Sequence, residues 1–413
     1  ARPWRQRRRW RRRQLRPGRS ACADMRLLIT GGGGFLGQVL ARDLVRRGNL
    51  LVHGPGKEQL AKISQVLLVD VNPPKKLLFP ELESRASVVT GDISDASFCK
   101  SLFEGCHGAI SVFHLGAMMS GQGEADFDRC MAVNLFGTLN LLESARNCGH
   151  ARPKFVLASA GATLGSGAPT DFISKEDVVS DATRATPHTT YGMTKACAEL
   201  LLSDYSRKGF IDGRGCRLPT VVVRAGEPNG ATTSCFSALV RDPLSGVDAH
   251  MPIAPDVPHA VTDYQTAVSA LVRMHELPQQ EVDDVLGFDR TVFVPNVAVT
   301  LRELELALQR VVSPRALASL GKVHYSPDDR LSKIVGSFPT KVDFSRARAL
   351  GLAECPPIEQ MIRTYCDDFA HALAPGVELS PPYSAAAAGG AAAGAAAAPR
   401  DKVSVVLVTG GGT

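Results

Sequence analysis

The chain has 413 residues, 44% hydrophobic and only 6% aromatic, which suits an α/β core rich in Ala, Val and Leu with a small second lobe. Its net charge of +6 sits at one end: residues 1–24 hold ten Arg against the single Asp24, leaving the remainder mildly acidic at net −3, which argues against nucleic acid as a partner of the folded part. Ten cysteines without C-x-x-C or Cys/His ligand spacing argue for reduced thiols rather than disulfides or metal, and no apolar run reaches the ~20 residues that span a bilayer.

Residues 1–24 carry Trp4, Trp10 and an Arg run with no hydrophobic period. They read as a basic leader outside the fold: a targeting segment, a nucleic-acid tail or a translated leader. The thiols point to a cytoplasmic chain, and a transit segment here would direct it to a plastid or mitochondrion instead.

Met25 opens the folded part. An apolar run at 26–30 leads into Gly31-x-x-Gly34-x-x-Gly37, and Leu36, Val39, Leu40, Leu44 and Val45 then recur at helical spacing. Strand, Gly-rich turn and helix in this order suit a dinucleotide pyrophosphate. The turn must be tight, the backbone must approach closely, and the helix N-terminus offers free N–H groups and a positive dipole end. The next core strand, 66–70, ends in Asp70. An acid there accepts hydrogen bonds from both adenosine ribose hydroxyls and repels a 2′-phosphate, so NAD is favoured over NADP; the bland alternative is a surface acid closing a strand. The gap from Gly37 to Asp70 exceeds the usual ~20 residues, so 49–65 is predicted to hold an insertion.

Further strands are predicted at 87–90, 109–115, 155–159 and 220–223, with helical patterns at 96–103, 127–148 and 191–206 between them. This alternation predicts a doubly wound parallel (Rossmann) sheet. Asp92 either reaches adenine or caps a turn. His114 reads as a packed structural residue, and Met118 with Met119 as crevice lining or core.

Tyr191-Gly-Met-Thr-Lys195 puts Tyr and Lys four residues apart at a helix start, on one face. A free Tyr, with a pKa of ~10, is a poor base at neutral pH, and a nearby ammonium lowers that value. Tyr191 could then take a hydroxyl proton as hydride leaves the carbinol carbon, with Lys195 also donating to the nicotinamide ribose.

Taken together, Thr30-Gly-Gly-Gly-Gly-Phe-Leu-Gly37, Asp70, Gly91-Asp92-Ile93, His114-Leu-Gly-Ala117, Asn134-Leu-Phe-Gly-Thr138, Tyr191-x-x-x-Lys195 and Asp343-Phe-Ser-Arg-Ala-Arg-Ala-Leu-Gly351 resemble the motifs of the extended short-chain dehydrogenase/reductase superfamily, from Met25 to about Ala374. More narrowly, Ser120-Gly-Gln-Gly-Glu-Ala-Asp-Phe-Asp128, Leu202-Ser-Asp-Tyr-Ser-Arg-Lys-Gly-Phe210, Arg217-Leu-Pro-Thr-Val-Val-Val-Arg224 and Arg241-Asp-Pro-Leu244 resemble the D-erythronate dehydrogenase family, which the 49–65 insertion also fits. The resemblance implies NAD-dependent oxidation of the C2 hydroxyl of a small sugar acid to a 2-oxo acid. It implies cofactor contacts from Gly31, Gly34, Phe35, Leu36, Gly37, Asp70, Asp92, Ile93, Leu115, Gly116, Ala117, Asn134, Tyr191 and Lys195. Ser120, Asn229 and Arg241 are the candidate substrate contacts, Arg241 because a guanidinium binds a carboxylate bidentately; its alternative is an ordinary surface Arg. No metal site is expected, and a homodimer is left open.

The superfamily keeps a Ser or Thr five residues before the Gly that closes the fifth-strand turn, and counting back from Gly165 gives Ala160. Either the turn shifts so that Ser159 becomes catalytic, or no hydroxyl polarises the carbinol. Ala225, Glu227 and Gly116 also stand where the family tends to have Pro, Lys and Ala. Two other functions share the fold: a sugar-nucleotide epimerase or dehydratase, which needs a uridine- or thymidine-binding surface, and a catalytically weak NAD-binding regulator, for which Ala160 is the sole support.

The expected organisation is a cofactor core at about 25–225, a substrate lobe mainly within 226–374 and an Ala/Gly/Pro linker at 375–400. Residues 401–413 repeat the strand and Thr-Gly-rich turn of 27–33, as the start of a second, truncated Rossmann domain would.

Overall fold

The computed structural model describes residues 23–382 apart from 55, 151, 166–172, 175 and 227–231. The expectations for residues 1–22, Glu227, Asn229 and the 401–413 repeat lie outside the described residues.

Strand β1 (Ala23–Thr30) runs through the glycine turn into helix α1 (Phe35–Arg47), which ends at Gly48, φ +74°, a left-handed conformation that glycine adopts without strain. The 49–65 insertion is a hairpin: β2 (Asn49–His53) lies antiparallel to the first part of β3 (Glu58–Asp70). Then follow β4 (Ser87–Thr90), α2 (Ala96–Ser101), β5 (Ala109–His114), α3 (Ser120–Ala125) and α4 (Phe127–Cys130). A π-helical turn (Met131–Phe136) joins α4 to α5 (Gly137–Asn147). The second half brings β6 (Lys154–Ala160), β7 (Val178–Val179), α6 (Thr190–Arg207), β8 (Asp212–Leu218), β9 (Thr220–Val222), α7 (Cys235–Leu244), β10 (Ala249–Met251), β11 (His259–Asp263), α8 (Tyr264–Glu276), β12 (Thr291–Phe293) and β13 (Val297–Val299).

The eight-stranded sheet has the order β12-β8-β6-β5-β1-β3-β2, with β4 on β3, and every pairing but β2–β3 is parallel. β1 sits between β3 and β5, so the chain leaves it first to one side and later to the other. A crevice therefore opens at the carboxyl ends of these strands, where doubly wound sheets bind ligands. Side chains alternate between two cores: Leu27 and Ile29 join Val39, Leu40 and Leu44 on one face, while Leu28 joins Leu141, Phe155 and Leu157 on the other. Each such fully buried side chain stabilises the fold by roughly 1.5–3 kcal/mol.

One strand differs from the sequence reading. The strand beside β6 is Asp212–Leu218, whereas Thr220–Val222 pairs with β11 in a separate three-stranded sheet, β13-β11-β9. Asp-Gly-Arg-Gly-Cys-Arg-Leu hides from a hydrophobic pattern because its charges are buried in pairs. Arg214 bonds Asp212 at 2.7 Å, and Arg217 grips Glu199 at 3.0 and 2.7 Å. The 226–374 segment also supplies β12 to the large sheet. Among the described residues no helix is long and apolar enough to cross a membrane.

Candidate active site

A cleft of about 1510 Å³ runs along the carboxyl ends of the strands. At its centre the glycine turn leaves no room for side chains. Gly31 sits at φ +68°, and a Cβ there would lie 2.8 Å from the Gly116 nitrogen; one on Gly37 would collide with the Gly31 carbonyl oxygen. Gly34 begins α1 and supplies no side chain to cap its first turn, so the dipole end of that helix faces the cleft. Phe35, Leu36, Leu115, Gly116, Ala117 and Ile93 line the same space. A cradle with backbone this close, under an uncapped helix, fits a dinucleotide pyrophosphate.

Asp70, at the end of β3, accepts from the backbone N–H groups of Gly33 (3.1 Å) and Asn72 (3.1 Å). These bonds hold its carboxylate at the rim beside the turn, as a ribose contact requires. Asp92 also lines the cleft, but accepts from Ser94 N–H (2.9 Å) and Arg129 (2.7 Å). Burial would raise its carboxyl, yet these bonds hold it below the usual range.

A directed chain of hydrogen bonds stiffens the floor. Gly116 N–H donates to the Thr30 hydroxyl (3.1 Å), which faces His114 Nδ1 (2.6 Å); His114 Nε2 faces Thr138 (2.9 Å), whose hydroxyl donates to the Asn134 carbonyl (2.6 Å). His114 is thus a structural link in its neutral form, and burial, with the charge of Lys195 adding to it, lowers its pKa to about 3. Asn134 stands behind the cleft wall. Its amide accepts from Met118 N–H (2.7 Å) and donates to Met118 O (3.0 Å), so it clasps backbone beside the cleft. Met118, Met119 and Ser120 are cleft lining.

The catalytic pair rises from α6. Thr189 caps the helix through Gly192 N–H (3.0 Å), and a Cβ on Gly192 would strike the Ala162 carbonyl, so glycine lets this turn press onto the end of β6. Tyr191, Lys195 and Glu199 follow at helical spacing on one face. The Lys195 ammonium donates to Ala158 O (2.8 Å) and lies 5.8 Å from the centre of the Tyr191 ring. Burial lowers Lys195 to about 8, with Glu199 pulling it back up. Burial raises Tyr191 to about 12, and the Cys130 thiol adds to the rise. The expected lowering of Tyr191 by Lys195 is therefore not present in this arrangement, because desolvation outweighs an ammonium committed to a carbonyl.

Ser159 also departs from expectation. Its hydroxyl donates to Glu199 Oε1 at 2.5 Å, while Ala160 follows on the opposite face of the strand, and both residues line the cleft. Ser159 anchors Glu199 rather than facing a reacting oxygen.

Arg241 lines the cleft, 9% exposed, with its Nε on Asp242 at 2.8 Å. Two cleft residues escaped sequence reasoning. Arg224 closes the Arg217–Arg224 segment noted for its family resemblance, but was given no role of its own. His259 offers its Nε2 to Thr220 (2.7 Å), while its buried Nδ1 has no partner; burial lowers its pKa to about 4. Far from the cleft, His53, Glu58 and Asp212 lie close enough to resemble a metal site. Asp212 already bonds Arg214 and Arg290, and Glu58 pairs with Lys154 at 3.0 Å, so cations of the chain itself balance these acids.

The model of the NAD-dependent epimerase/dehydratase family matches residues 27–255. D-erythronate dehydrogenase of Cupriavidus necator is 42% identical over 344 residues, 83% of this chain and 98% of that protein. Its namesake in Haemophilus influenzae is 31% identical over 343 residues, 83% of this chain and 99% of that one. The crystal structure of a nucleoside-diphosphate-sugar epimerase from Agrobacterium tumefaciens superposes with a TM-score of 0.71 at 29% identity, covering 87% of this chain and 98% of that one. With the glycine cradle and the Tyr-x-x-x-Lys helix in one cleft, the chain belongs to the NAD-dependent epimerase/dehydratase family, and it is an NAD-dependent dehydrogenase.

Proposed function

We propose that the chain oxidises the C2 hydroxyl of D-erythronate, or of a closely similar small sugar acid, to the 2-oxo acid. The observation that carries this reading is 42% identity along 98% of the Cupriavidus necator D-erythronate dehydrogenase. NAD, when bound, supplies the hydride acceptor. Gly31, Gly34 and Gly37 would hold its pyrophosphate and Asp70 its adenosine ribose. Tyr191, as the phenolate that the Lys195 ammonium stabilises, takes the proton from the substrate hydroxyl and becomes the neutral phenol, and Lys195 donates to the nicotinamide ribose. We divide the chain at about residue 225, with Ser120 from the cofactor side and Arg241 from the substrate side bounding the reacting end. The nine described cysteines are all free, which supports a reducing compartment such as the cytosol.

A panel of sugar acids incubated with NAD, followed by absorbance of the reduced cofactor, tests the reading. D-erythronate should be oxidised with the highest kcat/KM, and NAD should bind more tightly than NADP because of Asp70. Epimerisation of a nucleotide sugar without net cofactor reduction would replace this function with the epimerase reading, and tighter calorimetric binding of NADP would remove the role of Asp70.

A further inference from the structure

We propose that Arg224 is the anchor for the substrate's carboxylate, with Arg241 fixed behind it as a supporting positive charge. This rests on the reading of the substrate as a sugar acid and names the group that selects it.

Placement comes first. β6 and β8 end side by side at Ala160 and Leu218. The chain then runs through Pro219, Thr220 and Val221 along the cleft wall, and Arg224 lies in that wall beyond the end of the sheet. The Ser237 hydroxyl of α7 accepts from Arg224 N–H at 3.2 Å, tying this turn to the helix that carries Arg241.

The two guanidiniums are committed differently. Arg241 donates through Nε and Nη2 to Asp242 Oδ1, each at 2.8 Å, and through Nη1 to the Arg224 carbonyl at 3.3 Å. Three of its five N–H groups are thus engaged inside the protein. Among the described residues the Arg224 guanidinium has neither a hydrogen-bond partner nor a carboxylate. Arg224, Arg241 and Asp242 together leave one positive charge at this wall. Burial, and then the neighbouring charge of Arg241, lower the pKa of Arg224, so the site favours an anion over water or a neutral hydroxyl. A planar carboxylate matches both the single charge and the guanidinium fork. His259 in the same wall is neutral and does not compete for that charge.

The test compares wild type, Arg224→Met and Arg224→Lys on D-erythronate and on erythritol, the neutral tetraol with the same carbon count. Arg224→Met should raise KM for D-erythronate by about 100-fold, the usual scale for removing one partner of a buried charge pair. Its kcat should fall less than kcat/KM does, although the anchored carboxylate is bonded directly to the reacting C2. Preference for the acid over erythritol should collapse, and Arg224→Lys should restore part of it. Calorimetric NAD affinity should be unchanged in both variants, which certifies the fold. A KM within threefold of wild type in Arg224→Met, with NAD affinity intact, overturns the proposal while leaving the sugar-acid function standing. If wild type ignores D-erythronate but oxidises another sugar acid whose KM rises in Arg224→Met, the four-carbon reading falls and Arg224 keeps its role. If no acid is oxidised, calorimetry of the same acids with the NAD complex decides: binding lost in Arg224→Met supports the anchor, and equal or absent binding removes it.

Discussion

The same two strands, β6 and β8, are finished in opposite ways at their two ends. At the amino ends, Lys154 stands beside Asp212 in the register. There Lys154 pairs with Glu58 at 3.0 Å and donates to His275 O at 2.9 Å, while Asp212 is bonded by His53 at 2.8 Å, Arg214 at 2.7 Å and Arg290 at 3.3 Å. Roughly 20 Å away, at ~3.3 Å per residue, the carboxyl ends present Ala160 and Leu218 to the cleft. Around them, among the described residues, the Tyr191 hydroxyl, the Arg224 guanidinium and His259 Nδ1 have no partner. Buried charge that is satisfied internally locks the fold, and in this case it clamps the β2–β3 hairpin to the sheet. Buried polar groups left unsatisfied cost stability, and a ligand in the cleft can complete these three.

The largest effect should come from the unsatisfied end. Tyr191→Phe removes the proton acceptor and should lower turnover by as much as ~10⁴-fold, about 5 kcal/mol in barrier. The unfolding midpoint in urea and the affinity for NAD should hardly move. The pH profile of wild type sharpens this. With Lys195 near 8 and Tyr191 near 12, the first proton to leave the pair leaves near pH 8. Below that value the reactive form, phenolate with ammonium, grows tenfold per pH unit. Above it, this form and the neutral pair differ only in where one proton sits, so their ratio is fixed. Log kcat/KM should therefore climb with unit slope to about pH 8 and then level. A flat profile between pH 6 and 8 would break the assignment of Tyr191 as the base in this electrostatic setting.

The satisfied end should answer in stability alone. Burial by itself would raise the Asp212 carboxyl, but His53 and Arg214 hold it well below the usual range. Asp212→Ala strands Arg214 without its acid, leaves Arg290 only Asp283, and should cost roughly 3–5 kcal/mol, read from urea unfolding. The fraction that remains folded should keep its kcat. A variant that unfolds normally but oxidises slowly would mean that the two ends are coupled, and the contrast drawn between them would fail.

The unequal legibility of these ends in the sequence has a physical cause. The glycine turn, Asp70 and Tyr191/Lys195 were readable because each obeys a local rule: a close backbone approach, an acid at a strand end, a helical spacing. The amino-end network was not, because Asp212, Arg214 and Lys154 are polar residues in buried strand positions, and their compensation comes from Glu58, His53 and Arg290, remote in the chain. For the same reason the hydrophobic pattern predicts no strand over 212–218 and gives its place to 220–223. Arg224 ends a motif noted for its family resemblance, but its role was not legible there, because an uncompensated charge is visible only when everything around it is known.

The smallest effect tests a residue at the reactive end that departs from its superfamily. Ala160 lines the cleft where a hydroxyl is usual, and the Ser159 hydroxyl is engaged by Glu199 at 2.5 Å on the opposite side of β6. Glu199 is also gripped by Arg217 at 3.0 and 2.7 Å, so it stays in place without Ser159. Ser159→Ala should thus cost a few tenths to ~1.5 kcal/mol of stability, a typical hydrogen bond, and leave kcat within about threefold. Ala160→Ser puts a donor on the cleft face of the strand. A preorganised donor to developing charge is worth ~10²–10³ in rate, and an unoptimised one should recover at least about tenfold, near 1.4 kcal/mol. The gain must vanish in the Tyr191→Phe background, because a hydroxyl that polarises the carbinol oxygen is useless without a base to take its proton. Should Ser159→Ala prove the damaging change and Ala160→Ser be silent, then β6 turns at its end when substrate is present, and the carboxyl end of this strand is less fixed than its amino end.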